Sequence, residues 1–433
     1  MKKFTKFKKK INQWKKRDLT IFGKKTLINS YIISNIGYLT EIYAANIPDK
    51  FIKDTTDLIR DFLWEKPIWK VAKKTMALKK EHGGIEIPDV SVFIQSRKIK
   101  WLIRIIHTLP QNWNIIGQKI LTRLDEKYNE RFFILQCSKL NEIDLKTSPF
   151  YKTCLKAWTS MLEKNEITTP KEILNENLFG NKHILNHNKA IFLNHWAKSN
   201  IKQVKDVWNL ESQRFRSGPE IYNKLSTKNN WIAEFEVIKK AIPEKWIKIL
   251  KNDNTIVSDP KQLYNSQKLQ IKGLSIKQND SDINYTKLKT KSIYFHYLYP
   301  TPRPSCIEKW ENEFEECNWK QVWNLTNNPI ISNKKKQLQW KFIHRAIYSV
   351  SRLASMGKSN GICMLCKAHE EDIHHLFVKC KMIERVWSQL ELWLSKLFNV
   401  HITVKDKEKC LGIWKEEFKE INYIINLIII EAK

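Results

Sequence analysis

The chain has 433 residues and a formal net charge of +31, with 76 Lys and Arg against 45 Asp and Glu. Its hydrophobic content of 42% is enough to build folded cores, so the composition excludes wholesale disorder. A positive excess of this size predicts a polyanionic partner, with nucleic acid ahead of an acidic membrane. The longest apolar run, 421–430, is interrupted by Asn422 and Asn426 and falls short of the ~20 residues that span a bilayer.

The cellular compartment is predicted from the N-terminal segment and the cysteines. Residues 1–25 are basic, but neither an apolar h-region nor a small-residue cleavage site follows them. Of the eight cysteines, three fall within one metal-ligand frame and the others are widely spaced, which is not the pattern of a disulfide framework. We therefore expect an intracellular protein of the nucleus or cytoplasm, and not a secreted one.

Helical spacing dominates the chain, so the predicted fold class is mostly α. Apolar residues recur on one helical face within 27–35, again within 52–63, and a third time within 93–106. Asp49 is a candidate N-cap of the second of these helices, and Pro67 is expected to end it. The stretch His82 to Asp89 contains two glycines and a proline and predicts a turn followed by a short extended segment.

The sequence as a whole suggests three segments along the chain. Residues 1–110 are predicted to form a helical bundle, and residues 111–292 a helical connector with helices around Trp158, Trp196, Trp231 and Trp246. The piece near 266–292 has few large apolar residues and is predicted to be a linker. Residues 293–433 are predicted to form a small zinc-binding module packed on Trp-rich helices.

One frame in the last segment has the spacing of metal ligands. Cys363 and Cys366 are followed by His375 and Cys380, in the pattern C-x2-C-x8-H-x4-C. Two thiolates two residues apart fit one turn of a zinc knuckle, with Zn–S bonds of about 2.3 Å. A Cys3His set leaves no open coordination position, so it predicts structural rather than catalytic zinc. His374 and His369 remain rival fourth ligands, and scattered buried thiols remain the alternative to a metal site.

Basic residues interleaved with aromatic ones predict contact with nucleic acid. The N-terminal segment has this pattern, in which the cations could neutralise phosphates and the aromatic rings could stack on bases. A solvated helix face and a nuclear localisation signal are the alternatives there, and phosphate contact and plain solubility are both open for the basic helix near 334–345. The candidate nucleic-acid contacts are Lys8, Lys9, Lys10, Trp14, Lys15, Lys16, Arg17, Lys24, Lys25, Lys334, Lys335, Lys336, Arg345 and Arg352.

No catalytic constellation is visible in the sequence. It contains no G-x-S-x-G, no H-E-x-x-H and no glycine-rich dinucleotide turn. It also has no pair of adjacent aspartates after a Tyr or Phe in an apolar strand, which a polymerase would need to hold two magnesium ions. We expect no catalytic residues.

Two blocks resemble the reverse transcriptases of LINE-type (non-LTR) retrotransposons. The first block resembles the segment after the polymerase palm, through residues 11–15, 22–29, 62–64, 79, 83–85 and 88–89. The second, more specific block resembles the reverse-transcriptase zinc-binding domain, through residues 340–345, 351–353, 363–366, 375–380 and 387.

The resemblance implies a function and an organisation. In the family the first block is the helical thumb, which holds the template–primer duplex, and the endonuclease and polymerase palm would lie before Met1. The resemblance therefore implies a chain that binds RNA and RNA–DNA hybrid without being a polymerase. Such a chain would help to hold the template during target-primed reverse transcription. An inert truncated fragment, a zinc-dependent protein-interaction module and a thumb that acts in trans are the alternatives.

Overall fold

The computed structural model describes residues 2–42, 47–65, 69–107, 115–128, 137–139, 149–162, 167, 169–251, 270–272, 275–278, 281–284, 289–298, 303–315, 317–412 and 415–433. The fold is mostly α, which confirms the predicted class. The helices are α1 Lys2–Lys15, α2 Ile21–Leu27, α3 Ser34–Ile42, α4 Asp49–Trp64, α5 Lys73–Ala77, α6 Val90–His107, α7 Ile115–Tyr128, α8 Pro149–Leu162, α9 Pro170–Leu174, α10 Asn194–Lys198, α11 Val204–Val207, α12 Gly218–Lys224, α13 Trp231–Ala241, α14 Glu244–Lys251, α15 Thr290–Leu298, α16 Ser305–Phe314, α17 Trp319–Thr326, α18 Asn333–Ile343, α19 Val350–Ala354, α20 Lys381–Phe398, α21 Asp406–Leu411 and α22 Asn422–Ala432.

Short antiparallel pairings make up the β-structure among the described residues. Their strands are β1 Leu185–Asn186, β2 Lys189–Ala190, β3 Trp208–Asn209, β4 Arg214–Phe215, β5 Gln270–Lys272, β6 Ser275–Gln278 and β7 Ser281–Asn284. β1 pairs with β2 and β3 with β4, while β6 lies between β5 and β7 with Ile276 opposite Ile271 and Ile283. The range predicted to be a linker therefore contains a three-stranded sheet. No helix of the described ranges is long and apolar enough to cross a membrane.

The chain divides into two compact units, each built from separated segments. The first unit takes residues 1–35, 49–90 and 301–433, and the second takes 36–48 and 91–300. The predicted three-segment division stays a prediction; its boundary after residue 110 lies outside the described residues, and its boundary after residue 292 falls within α15.

The second unit is built around buried tryptophans. Trp158, Trp196 and Trp208 are each at most 2% exposed and belong to one continuous apolar core. The indole Nε1 of Trp196 donates to Oε2 of Glu234 at 2.7 Å, so its polar atom is satisfied inside the core.

In the first unit, the N-terminal helices bury the faces that their periodicity predicts. On α4, the side chains of Leu58, Ile59, Phe62 and Leu63 are buried. α1 packs against α4, and Phe7 of α1 is 2% exposed, with its ring centre 6.3 Å from that of Phe51. Between α2 and α3, residues 28–33 form a π-helical turn, so the predicted face at 27–35 is helical but not regular.

The turn around Gly83 is one place where the N-terminal and C-terminal parts of the first unit meet. Gly83 has φ +82° after a 3-10 turn at Lys80–His82. Its carbonyl oxygen accepts from Nε1 of Trp340 at 2.9 Å and contacts Nε2 of His344 at 2.8 Å. A Cβ at this position would lie 2.6 Å from Cζ2 of Trp323, so only glycine fits without a shift.

The ring of His344 links this turn to α16 through its second nitrogen. Nδ1 lies 3.4 Å from Sγ of Cys306. If Nε2–H donates to the Gly83 carbonyl, Nδ1 is the acceptor and the thiol is the donor. Burial raises the pKa of Cys306 to about 12, which keeps the thiol protonated, and burial lowers the pKa of His344 to about 4. The pair is therefore a neutral hydrogen-bonded link.

Gly83→Ala should destabilise the first unit by about 2–5 kcal/mol, from the left-handed backbone and the clash with Trp323 together. Gly357→Ala is the matched control, because Gly357 has φ +69° but nothing within 4 Å of its added Cβ. The control should lose only about 1–2 kcal/mol. Urea unfolding of both variants measures the difference, and equal losses would contradict the proposed contact.

The neutral state of His344 predicts that stability falls in acid. The folded pKa of about 4 lies below the usual value of 6.5, so the unfolded chain binds more protons between these values. The contribution of neutral His344 to the free energy of unfolding is present above pH 6.5 and is lost as the pH falls. The loss is about 2 kcal/mol between pH 7 and pH 5.

His344→Gln removes the titration while keeping an amide donor for Gly83. We expect urea unfolding of the variant to depend less on pH than that of the wild type, by about 2 kcal/mol over this range. The two proteins must be compared directly, because burial also lowers the pKa of His183 to about 4. His183 therefore adds to the fall in stability in acid in both proteins. Identical pH dependence in both proteins would refute the neutral link.

Candidate metal centre

A tight hairpin at 361–371 carries the first two cysteines of the predicted frame. Cys363 N–H donates to the carbonyl of His369 at 2.8 Å, and Lys367 N–H donates to the carbonyl of Cys363 at 2.9 Å. Lys367 has φ +55° and Gly361 has φ +81°, so the chain reverses within a few residues. The reversal brings the two thiols to the same side of the hairpin.

A π-helical turn at His375–Lys379 positions the other two residues of the frame. The N–H of Cys380 donates to the carbonyl of His375 at 2.9 Å, across five residues instead of the four of an α-helix. The wider turn brings His375 and Cys380 together despite the x4 spacing between them. Both side chains are buried, with 8% and 0% exposure.

The four predicted ligand residues come together in one cluster. The ligand atoms of Cys363, Cys366, His375 and Cys380 lie within 4.8 Å of one another, and Sγ of Cys366 is 3.4 Å from Nε2 of His375. Tetrahedral zinc with Zn–S bonds of about 2.3 Å would hold neighbouring sulfurs about 3.8 Å apart. The donor set and its dimensions therefore fit a closed tetrahedral zinc site.

Backbone N–H groups stabilise the thiolate form of Cys366 in the cluster. Hydrogen bonds from the N–H groups of Ala368 and His369 lower the pKa of Cys366 to about 6. Burial raises the pKa of Cys363, although the N–H groups of Cys366 and Leu365 act in the opposite direction. Binding of a metal cation would release the thiol protons and hold all three sulfurs as thiolates.

The rival histidines lie outside this cluster. The ring of His374 packs edge-on against Phe314, with 5.5 Å between ring centres. His369 has an exposed side chain, and its ring centre is 5.8 Å from that of His375.

The cluster is tied to the helices around it. Glu371, which is 5% exposed, accepts from the N–H of Val350 at the start of α19. Beside the π-helical turn, Nε1 of Trp387 on α20 donates to the carbonyl of Phe377 at 2.9 Å. The ring of Phe377 lies 4.9 Å from that of Phe342 on α18. Loss of the cluster geometry would therefore loosen α18, α19 and α20 together.

On α1, the predicted nucleic-acid contacts form an outward face. The cations there are exposed, and none forms an ion pair among the described residues, whereas Phe7 and Ile11 on the opposite side are buried. The guanidinium of Arg17 lies 4.5 Å above the ring of the half-buried Trp14. We call the following exposed cations the α1 face, of which the last two follow directly after the helix: Lys8, Lys9, Lys10, Lys15, Lys16 and Arg17.

Several of the other predicted contacts are engaged within the chain. Lys24 is 8% exposed and pairs with Glu65 at 2.6 Å, which lowers the pKa of that carboxyl group. Lys25 pairs with Glu86 at 2.9 Å, and Nζ of Lys335 donates to the carbonyl of Glu431 at 2.6 Å.

The predicted arginines of the C-terminal block also have partners, while two lysines of α18 do not. The guanidinium of Arg345 stacks on Trp310 at 4.2 Å and pairs with Glu313. Exposed Arg352 donates to the carbonyl of Arg345 at 3.1 Å. By contrast, Lys334 and Lys336 form no ion pair within the described ranges.

The structure places further lysines beside α18 that sequence reasoning missed. Lys70 lines a cavity of about 460 Å³ together with Lys334 and Lys341 of that helix. Lys80 lies with Lys336 at a second concavity. No sequence signal could have found these pairings, because they join residues far apart in the chain.

Known proteins resemble this chain in two ways. Residues 305–387, which contain all four clustered ligand residues, match the family described as zinc-binding in reverse transcriptase. The chain is also 19% identical, over an alignment of 470 positions, to the Transposon TX1 uncharacterized 149 kDa protein of Xenopus laevis. That alignment covers 98% of this chain and 34% of the relative, so the chain spans about a third of the relative's length.

Zinc content should respond to the clustered residues and not to their neighbours. Cys380→Ser and His375→Ala should each lose stoichiometric zinc, because three remaining ligands cannot close the tetrahedron. Cys317→Ser and His374→Ala are matched controls outside the cluster and should retain it. Elemental analysis of the four purified variants tests the assignment; retention of full zinc by Cys380→Ser and His375→Ala would refute it.

Proposed function

We propose that this chain, a relative of the reverse transcriptases of LINE-type (non-LTR) retrotransposons, binds RNA and RNA–DNA hybrid through a largely sequence-independent electrostatic surface. In a complete element it would hold the template during target-primed reverse transcription. The proposal joins a zinc-stabilised helical scaffold to an exposed basic surface. Each of these two parts is supported by its own contacts.

The observation that carries the proposal is the α1 face. Its cations point outward, whereas Phe7 and Ile11 anchor the helix on the rest of the first unit. No acidic residue occurs in α1, so its charge is not neutralised within the helix. Phosphates are the natural counterions for such a face, and the contact with a backbone would be independent of sequence. Trp14 adds a ring on which a base could stack.

Zinc has a structural role in this proposal. Cys363, Cys366, His375 and Cys380 would be the ligands, and their closed set leaves no position for a substrate or water. Structural zinc can contribute on the order of 10 kcal/mol to a small domain. Bound zinc would fix the hairpin and the π-helical turn, and through them hold α18 with its basic residues in place.

We expect the chain itself to have no polymerase activity. The family match is confined to the zinc-binding region, and the sequence lacks the adjacent aspartates that would hold two magnesium ions. Primer extension by the purified chain with magnesium is therefore expected to fail. Extension above background would refute this part of the proposal.

A protein-interaction module is a second candidate, favoured by exposed apolar side chains on the metal-site hairpin and on α20. Met364 and Leu365 at the tip of the hairpin are 77% and 50% exposed. On α20, Trp393 and Leu397 are 51% and 54% exposed. Binding through these groups would depend little on salt, which distinguishes this candidate from nucleic-acid binding.

Affinity for a short RNA–DNA hybrid should fall steeply as salt rises. If six phosphates are neutralised, the slope of log K against log salt should be about −4 to −5. Replacing Lys8, Lys9 and Lys10 together by Gln should reduce its magnitude by about 2 to 3. Fluorescence anisotropy of zinc-loaded protein across a salt series measures both slopes.

A matched triple variant on another helix serves as the control. Lys245, Lys248 and Lys251 of α14 are exposed and lie on a single helix. Their replacement by Gln changes the net charge equally and should leave the slope nearly unchanged. A wild-type slope near zero would refute the proposed function. Equal effects of the two triple variants on the slope would show that the α1 face has no special role in it.

A further inference from the structure

A small concavity in the first unit gathers three lysines from distant parts of the chain. It has a volume of about 240 Å³ and lies where α2, the 3-10 turn at Lys80–His82 and the start of α18 meet. We call it the lysine pocket. Its principal lining residues are Phe22, Lys25, Thr26, Lys80, Asn333 and Lys336.

The lysine pocket carries positive charge that the protein does not neutralise. Lys25 pairs with Glu86 at 2.9 Å, but Lys80 and Lys336 form no ion pair among the residues that the structure describes. No acidic residue lines the pocket. Burial lowers the pKa of Lys336, and the nearby charge of Lys80 lowers it further. The charges of Lys80 and Lys336 therefore repel each other, and no acidic residue of the pocket lining offsets them.

The other walls favour a phosphate ester over a simple ion. The side chain of Asn333 makes no hydrogen bond within the described ranges and can donate its amide N–H groups into the pocket. Half-buried Phe22 supplies an apolar wall, against which a sugar or base could pack. A phosphate group offers several oxygen acceptors at once, which suits two ammonium groups and an amide.

We infer that the lysine pocket binds a phosphate group, held by Lys80 and Lys336 with Asn333 as a neutral donor. In the setting of the proposed function, on which this inference rests, the group is one phosphate of the nucleic-acid backbone. The same chemistry would accept a free phosphate or pyrophosphate, and the experiment below separates these sources.

Protection of individual lysines from acetylation tests the inference on the zinc-loaded full chain. The rate of acetylation at each lysine is followed by mass spectrometry with no ligand, with a short RNA–DNA hybrid, or with inorganic pyrophosphate. Lys245 and Lys248 of α14 serve as internal references. We expect the hybrid to protect Lys80 and Lys336 together with Lys8, Lys9 and Lys10, and to leave the references unchanged.

Each pattern of protection has one meaning. Protection of the α1 lysines without Lys80 and Lys336 overturns the inference and leaves the proposed function intact. Protection of Lys80 and Lys336 by pyrophosphate but not by the hybrid supports a phosphate site whose ligand is the free anion. An absence of protection at every lysine, with either ligand, overturns both.

Paired substitutions provide a second, independent measurement. Lys80→Gln with Lys336→Gln should reduce the magnitude of the salt slope for the hybrid by about 0.7–0.9, the loss expected for one phosphate. Lys80→Arg with Lys336→Arg keeps the charge and should restore the wild-type slope. Lys245→Gln with Lys248→Gln removes the same charge elsewhere and should have no effect. A wild-type slope in the Lys80→Gln, Lys336→Gln variant overturns the inference.

Discussion

The first unit depends on one backbone carbonyl. The oxygen of Gly83 meets the indole N–H of Trp340 and the imidazole of His344, which lie 257 and 261 residues further along the chain. Closing so long a loop costs conformational entropy, which these contacts help to offset. The indole of Trp323 lies against the glycine, so this position admits no side chain without a shift. Together with the stacking of Trp64 on Trp340, these contacts hold α18 against the N-terminal helices.

The cations of the first unit divide into two classes with different roles. Lys24 and Arg345 each contact both a carboxylate and an aromatic ring, so their charge contributes to the fold. Among the described residues, Lys8, Lys9 and Lys10 of α1 form no ion pair, nor do Lys80 and Lys336 of the lysine pocket. A large net charge thus says little about which residues meet a ligand until the internal pairs have been identified.

Much of the fold and of the metal centre could be predicted from local patterns in the sequence. The periodicity of 52–63 predicted the buried face of α4, and the residue pair Gly83-Gly84 predicted the turn. The C-x2-C frame predicted which cysteines would come together, because a knuckle is closed by neighbours in the sequence. It could not distinguish His374 from His375, since that choice depends on a π-helical turn that leaves no mark on residue spacing.

Features that depend on distant residues were out of reach. Nothing near Lys24 indicates that Glu65 would pair with it, and nothing near Lys80 indicates Lys336. The sheet at 270–284 was missed for a different reason. Its strands are only three or four residues long, and polar residues outnumber the isoleucines that face one another across it.

The link between Gly83 and His344 also has a consequence for the order of events on the ribosome. At about 5–20 residues per second, roughly 10 to 50 s pass between synthesis of the glycine and synthesis of its partner. During that interval Trp64, which stacks on Trp340 in the finished protein, has no C-terminal aromatic ring to cover it. The nascent chain must therefore keep an apolar surface from premature association until the last third of the protein has emerged.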